Sequence, residues 1–191
     1  MKMSSLLEKL AVKLPKNLRG PMIEHLKALK DLIEGELEAA RKSEDKEAKL
    51  AVTKKIITTC TAACTTVGVE PIPLADFPIL TTLQVLMVAS IMRVSGRDIS
   101  RKAIAEFLSA LGMNIGAGLI FREGARAAIK MLPGFGSAIS GAIAGGATYT
   151  LGRAATAYFI EEKPLPEVKQ LFRLPTAWRK TKPPVPALPE K

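Results

Sequence analysis

One histidine, His25, serves this whole chain of 191 residues. A Ser-His-Asp or Cys-His catalytic arrangement would have to rest on it, and it lies among charged residues in a surface-like helical pattern. There are two cysteines, Cys60 and Cys64, four apart. A disulfide within one helical turn is geometrically awkward, and with a single histidine a Cys2His2 metal site is excluded. Both read as small apolar packing residues of a reducing compartment. No G-x-x-x-x-G-K-[ST] loop is present, and Gly134-Phe-Gly136 is only a fragment of a dinucleotide fingerprint. The acids of the apolar region show no paired spacing for acid/base work. Aromatic residues make up 5% of the chain, too few for the strands of a β-sandwich. The aromatic and basic motifs of RNA-binding modules are missing, and Trp178 is the only tryptophan. The start of the chain, MKMSSLLEKLAVKL, has no long apolar run and does not read as a secretory signal. We expect no enzyme, no cofactor, no metal and no small-molecule substrate.

What is present is apolar content carried by small residues. Hydrophobic residues make up 48% of the chain, and the formal charge is +10. The excess is spread as about +4 over residues 1–55, +3 over 56–160 and +3 over the tail. It suits an acidic partner, an anionic lipid surface or nucleic acid, or else a plain solvated surface.

The pattern centres on residues 130–158. Between Lys130 and Arg153 lie 22 uncharged residues, mostly Gly, Ala, Ser and Thr. Ser137, Gly141, Gly145, Thr148 and Gly152 recur at helical spacing, so their small side chains share one face. Such a face lets another backbone approach closely, and Gly141-xxx-Gly145 is a GxxxG pair of the kind that packs helices in membranes. A second pair is Gly112-xxx-Gly116. Pro133 and Gly134 mark the break before this helix.

The other segments also read as helices. Residues 4–13 form a short amphipathic helix ended by Pro15. From about Pro21 to Lys42, Met22, Leu26, Leu29, Ile33, Leu37 and Ala40 form a near-heptad seam. Residues 56–69 are uncharged and rich in threonine, whose hydroxyls can bond back to the carbonyl one turn earlier. Pro71 and Pro73 interrupt the helices, and Asp76 is placed to cap a helix entering at Pro78. That helix carries Gln84, which needs a polar partner, and stops at Gly96. Ser100 caps a helix with Ile104, Phe107 and Leu108 on one face. Residues 164–191 read as a basic, Pro-rich disordered tail, in which Val168, Leu171 and Phe172 could make one helical turn or two. The expected fold is all-α: a helical bundle built on a Gly/Ala-rich central helix or hairpin. Its parts are an amphipathic region over 1–49, a Gly-rich core over 50–163 and the tail.

Two signatures in this order carry a resemblance. The first holds Pro71, Pro73, Asp76, Pro78, Gln84, Met87 and Gly96; the second holds Lys130, Pro133, Gly134, Gly136, Thr148, Tyr149, Gly152 and Arg153. Together they resemble the bacterial domain-of-unknown-function family numbered 697, over about residues 50–160. The resemblance implies a helical domain that works beside a small GTPase, in some members classed as an inner-membrane protein. No nucleotide motif precedes it here, so the GTPase would be a separate chain.

Two readings follow. In the first the chain is a membrane-associated helical adaptor, with residues 130–153 long enough to cover roughly 30 Å of bilayer, at the bacterial inner membrane or its cytoplasmic face. In the second it is a soluble all-α interaction domain whose central helix is buried on every side, in the cytoplasm. Self-association is compatible with both.

Overall fold

The computed structural model describes residues 3–70, 77–111 and 136–171, and these are all-α. Helix α1 spans Met3–Lys13, α2 Lys16–Asp31 and α3 Leu37–Lys42, with a π-helical turn at Leu32–Glu36 between the last two. The second helix thus begins five residues before Pro21 and carries that proline inside. Pro21 lies on the exposed side, where water can take the carbonyl that loses its donor. The leucine seam continues through the π turn, with Leu18, Met22, Leu26, Leu29, Ile33, Leu37 and Ala40 all buried.

Helix α4 spans Lys46–Val69, and the Asp45 carboxylate caps it by accepting from Glu47 N–H at 2.8 Å. Thr58, Thr65 and Thr66 donate to the carbonyls of Lys54, Thr61 and Ala62, at 2.9, 2.9 and 3.1 Å. This is the back-bonding that lets threonine lie in a packed helix. Helix α5 spans Phe77–Val94 and is buried along most of its length, from Leu83 through Met87 and Ile91 to Val94. It stops at Gly96, whose φ of +92° suits a residue without Cβ. Helix α6, Arg101–Ala110, starts on the Ser100 cap and buries Ile104, Phe107 and Leu108.

Helix α7 spans Gly136–Phe159 and runs antiparallel along α4, since Gly141, Gly145 and Gly152 meet α4 near Val69, Thr65 and Ile57 in turn. The Phe107 ring stacks on Tyr158 at 5.3 Å and packs on Phe159 at 5.0 Å, which docks α6 on the end of α7. Helix α8, Leu165–Leu171, folds back with Val168 buried, so the expected disordered tail does not begin at 164: an apolar contact with the core orders this turn, and residues 172–191 lie outside the described part. One apolar core joins α1 and α2 to α4, α5 and α7, so the amphipathic N-terminal region shares its interior with the glycine-rich part.

At the edge of the bundle, Glu38 of α3 accepts from Arg93 Nε at 2.9 Å, and Arg41 lies 3.7 Å from it. The Arg93 hydrogen bond and the two positive charges hold the Glu38 carboxyl below its usual range, against a smaller opposing effect of burial. A lowered folded value means that the stabilisation is present above the ordinary glutamate value of about 4.3 and is lost as pH falls through the lowered one. Glu38→Gln should therefore lower the urea midpoint at pH 7 and match the wild type at pH 2–3. An equal deficit at both pH values would refute the electrostatic origin.

Candidate functional site

Helix α7 has two faces of opposite fate. Its inner face carries the predicted small residues. Gly141, Gly145, Thr148 and Gly152 are buried, and Ser137 is half-buried. The contact with α4 is backbone to backbone at one point. A Cβ built on Gly68 of α4 would lie 2.9 Å from Gly141 Cα and 3.1 Å from the Ser140 carbonyl oxygen. On α7, a Cβ on Gly141 would lie 3.1 Å from the Thr65 carbonyl oxygen, one on Gly145 would collide with Thr65 Oγ1, and one on Gly152 would reach the Ile57 side chain at 2.6 Å. All four are closer than ordinary van der Waals contact allows. The glycine face thus meets the threonine-rich helix, whose own Gly68 completes the fit. Neither lipid nor a hairpin with residues 107–121 is needed to account for it.

Buried polarity on this face is resolved locally. Thr148 Oγ1 donates to the Ala144 carbonyl at 2.8 Å and accepts from Gln84 Nε2 at 3.0 Å. Gln84, a lone amide on an apolar helix, thereby ties α5 to α7. His25 also has a partner, Thr66 Oγ1 at 3.2 Å, which links α2 to α4.

Among the described residues nothing covers the outer face. Ile139, Ala142, Gly146, Tyr149 and Arg153, spaced three and four apart, are all exposed. Ile139 keeps 44% and Tyr149 50% of its surface, and nothing lies within 4 Å of a Cβ built on Gly146. Ile143 and Thr150 flank this row, half-buried. A row of apolar and small side chains at this spacing, with one cation at its end, has the form of a groove-filling helix face. The spacing of the small residues marks the inner row, but because α7 is apolar on every side the sequence does not show that the opposite row is left exposed.

The remaining residues singled out from the sequence divide in two. Pro78 is exposed in the first turn of α5, Gly136 is buried at the start of α7, and Gly96 ends α5. Pro71, Pro73, Asp76, Gly112, Gly116, Lys130, Pro133 and Gly134 lie outside the described residues. Cys60 and Cys64 are both buried. Burial pushes the Cys60 thiol well up, and neighbouring Cys64 adds to the shift, which keeps the sulfur from acting as a thiolate. A shallow apolar groove of about 490 Å³ lies between the π turn and α4, lined by Leu32, Ala51, Lys54, Lys55, Thr58 and Thr59. Glu36 occupies the Lys55 ammonium at 2.7 Å.

No helix among the described residues is long and apolar enough to cross a membrane. The expected transmembrane helix over 130–153 is therefore not found there. The described part of that stretch is the first three-quarters of α7, whose glycines, alanines and threonines gain little from lipid, and whose Gly141, Gly145 and Gly152 are taken up by α4. No protein-family model, curated protein or solved structure matches the chain.

Proposed function

We propose that this protein is a non-enzymatic helical adaptor that binds a protein partner through the outer face of α7. The observation that carries the reading is the unequal use of one helix. Its inner face is packed on α4 to backbone contact, while Ile139 and Tyr149 remain about half exposed on the other side. Large apolar residues held in a rigid row on a buried helix favour a docked partner, because they lose little freedom on binding. The resemblance to the family numbered 697, carried by Gln84, Gly96, Gly136, Gly152 and Arg153 among others, adds a small GTPase as the partner class.

The test is site-specific photo-crosslinking in cells. A benzoylphenylalanine at position 149 should give one discrete adduct with a second protein. The same group at Lys42, exposed on α3, should give none. Ile139→Glu should abolish the adduct and leave the melting temperature unchanged, since the side chain is half in solvent. No adduct from position 149, or an equal pattern from position 42, would refute the docking face. An adduct at twice the mass of the chain would identify the partner as a second copy.

A further inference from the structure

The exposed side of α2 is electrostatically divided. Lys16, Arg19, Ile23 and Lys27 follow one another at three, four and four residues, and all are exposed. They form one stripe about 17 Å long on a single flank of the helix. Lys30 extends it, loosely paired with Glu34 at 3.9 Å. Glu34 thus stands at the end of the stripe itself, while Glu24 and Asp31, three residues before Lys27 and four after it, lie on the adjoining exposed flank by helical spacing, and Glu70 of α4 accepts from Asn17 Nδ2 on that flank, at 2.8 Å. Arg19 is held in place, its Nε donating to the Leu14 carbonyl at 3.1 Å. In the middle of these cations stands Ile23 with 66% of its surface in solvent, and on the preceding helix Val12 keeps 76%.

We propose that this stripe seats the protein on a bilayer surface carrying anionic lipid. The cations select a negative surface, and the aliphatic side chain among them selects lipid over nucleic acid. A phosphate backbone gives an exposed isoleucine no apolar environment, whereas the headgroup–acyl boundary does. The opposite side of α2 is occupied by the core through Leu18, Met22, Leu26 and Leu29, so the helix rests on the surface and does not enter. This contact is independent of the partner face on α7, and each can fail without the other.

The experiment is co-sedimentation of the full chain with vesicles of phosphatidylcholine containing about a third phosphatidylserine. Binding is expected in about 0.1 M salt and should be lost near 1 M, where the screening length falls from about 10 Å to about 3 Å. Each cation near such a surface contributes about fivefold, so Lys16→Gln with Arg19→Gln and Lys27→Gln should weaken binding about a hundredfold. Ile23→Ser should weaken it by roughly tenfold. Both proteins should keep the wild-type melting temperature. Failure to pellet with these vesicles, unchanged binding in either variant, or retention on duplex DNA in place of vesicles would overturn the proposal.

Discussion

Gly68→Ala should destabilise the protein by about 2 kcal/mol, while Gly146→Ala should stabilise it by about 0.5–1 kcal/mol. The substitution is chemically the same, and both sites are helical. They differ in what the new methyl meets. At position 68 it would lie 2.8 Å from Ala144 Cβ, 2.9 Å from Gly141 Cα and 3.1 Å from the Ser140 carbonyl oxygen. Two of these three atoms are backbone, so no rotamer change makes room, and α4 and α7 must separate. At position 146 nothing lies within 4 Å. There the methyl only restricts the unfolded chain, which favours the helix. Thermal unfolding of the two variants decides the matter. For a chain of this size the first change corresponds to a drop of roughly 4–8 °C and the second to a small rise. If Gly68→Ala melts at or above the wild type, the two helices do not touch through backbone. Leucine at Gly141 or Gly145 should lower stability further than alanine at Gly68, for the same reason.

Ile57→Ala should cost about 3 kcal/mol, because the side chain is buried and leaves a cavity. Its coupling to Gly152 is more informative. A Cβ on Gly152 would lie 2.6, 3.0 and 3.1 Å from Ile57 Cγ1, Cγ2 and Cδ1, so Gly152→Ala alone should destabilise by about 1–2 kcal/mol. With Ile57 already truncated the methyl enters space that Ile57 has left. The double variant should then be more stable than the sum of the single effects by at least about 1 kcal/mol. Urea denaturation of the four proteins completes the cycle. Additivity within about 0.5 kcal/mol would mean that these two residues are not neighbours.

Much of the architecture is legible along the chain. Proline, glycine and N-cap signals mark helix ends because they act on the local backbone. Ser100 and Gly96 show this, and the heptad spacing from Met22 to Ala40 places the buried side of α2 and α3 correctly. Pro21 is the exception: as an expected helix start it sits inside one, because an exposed carbonyl can give up its donor to water. The small-residue face of α7 is also legible, because helical periodicity alone brings Gly141, Gly145 and Gly152 together.

The helix which that face meets is not legible. Small residues report that something approaches closely, and give no sign of what it is. A membrane helix, a neighbouring copy and α4 would all ask for the same glycines. Residues 56–69 read as a helix by themselves, yet an uncharged threonine-rich helix is equally open to any of these partners. Only the pairing of Gly68 with Gly141 and of Thr65 with Gly145 selects among these. Gln84 announces by its polarity that it needs a partner, and Thr148, 64 positions away, supplies it only when α5 and α7 are side by side.

The sequence by itself thus determined the helices, their buried seams and the presence of a close-packing glycine face, since each follows from interactions within about one helical turn. The tertiary structure alone decided that this face closes on α4 and that, among the described residues, the outer row of α7 stays open. Those outcomes depend on which surfaces meet across long sequence separations, and a helix apolar on every side carries no periodicity that would announce them.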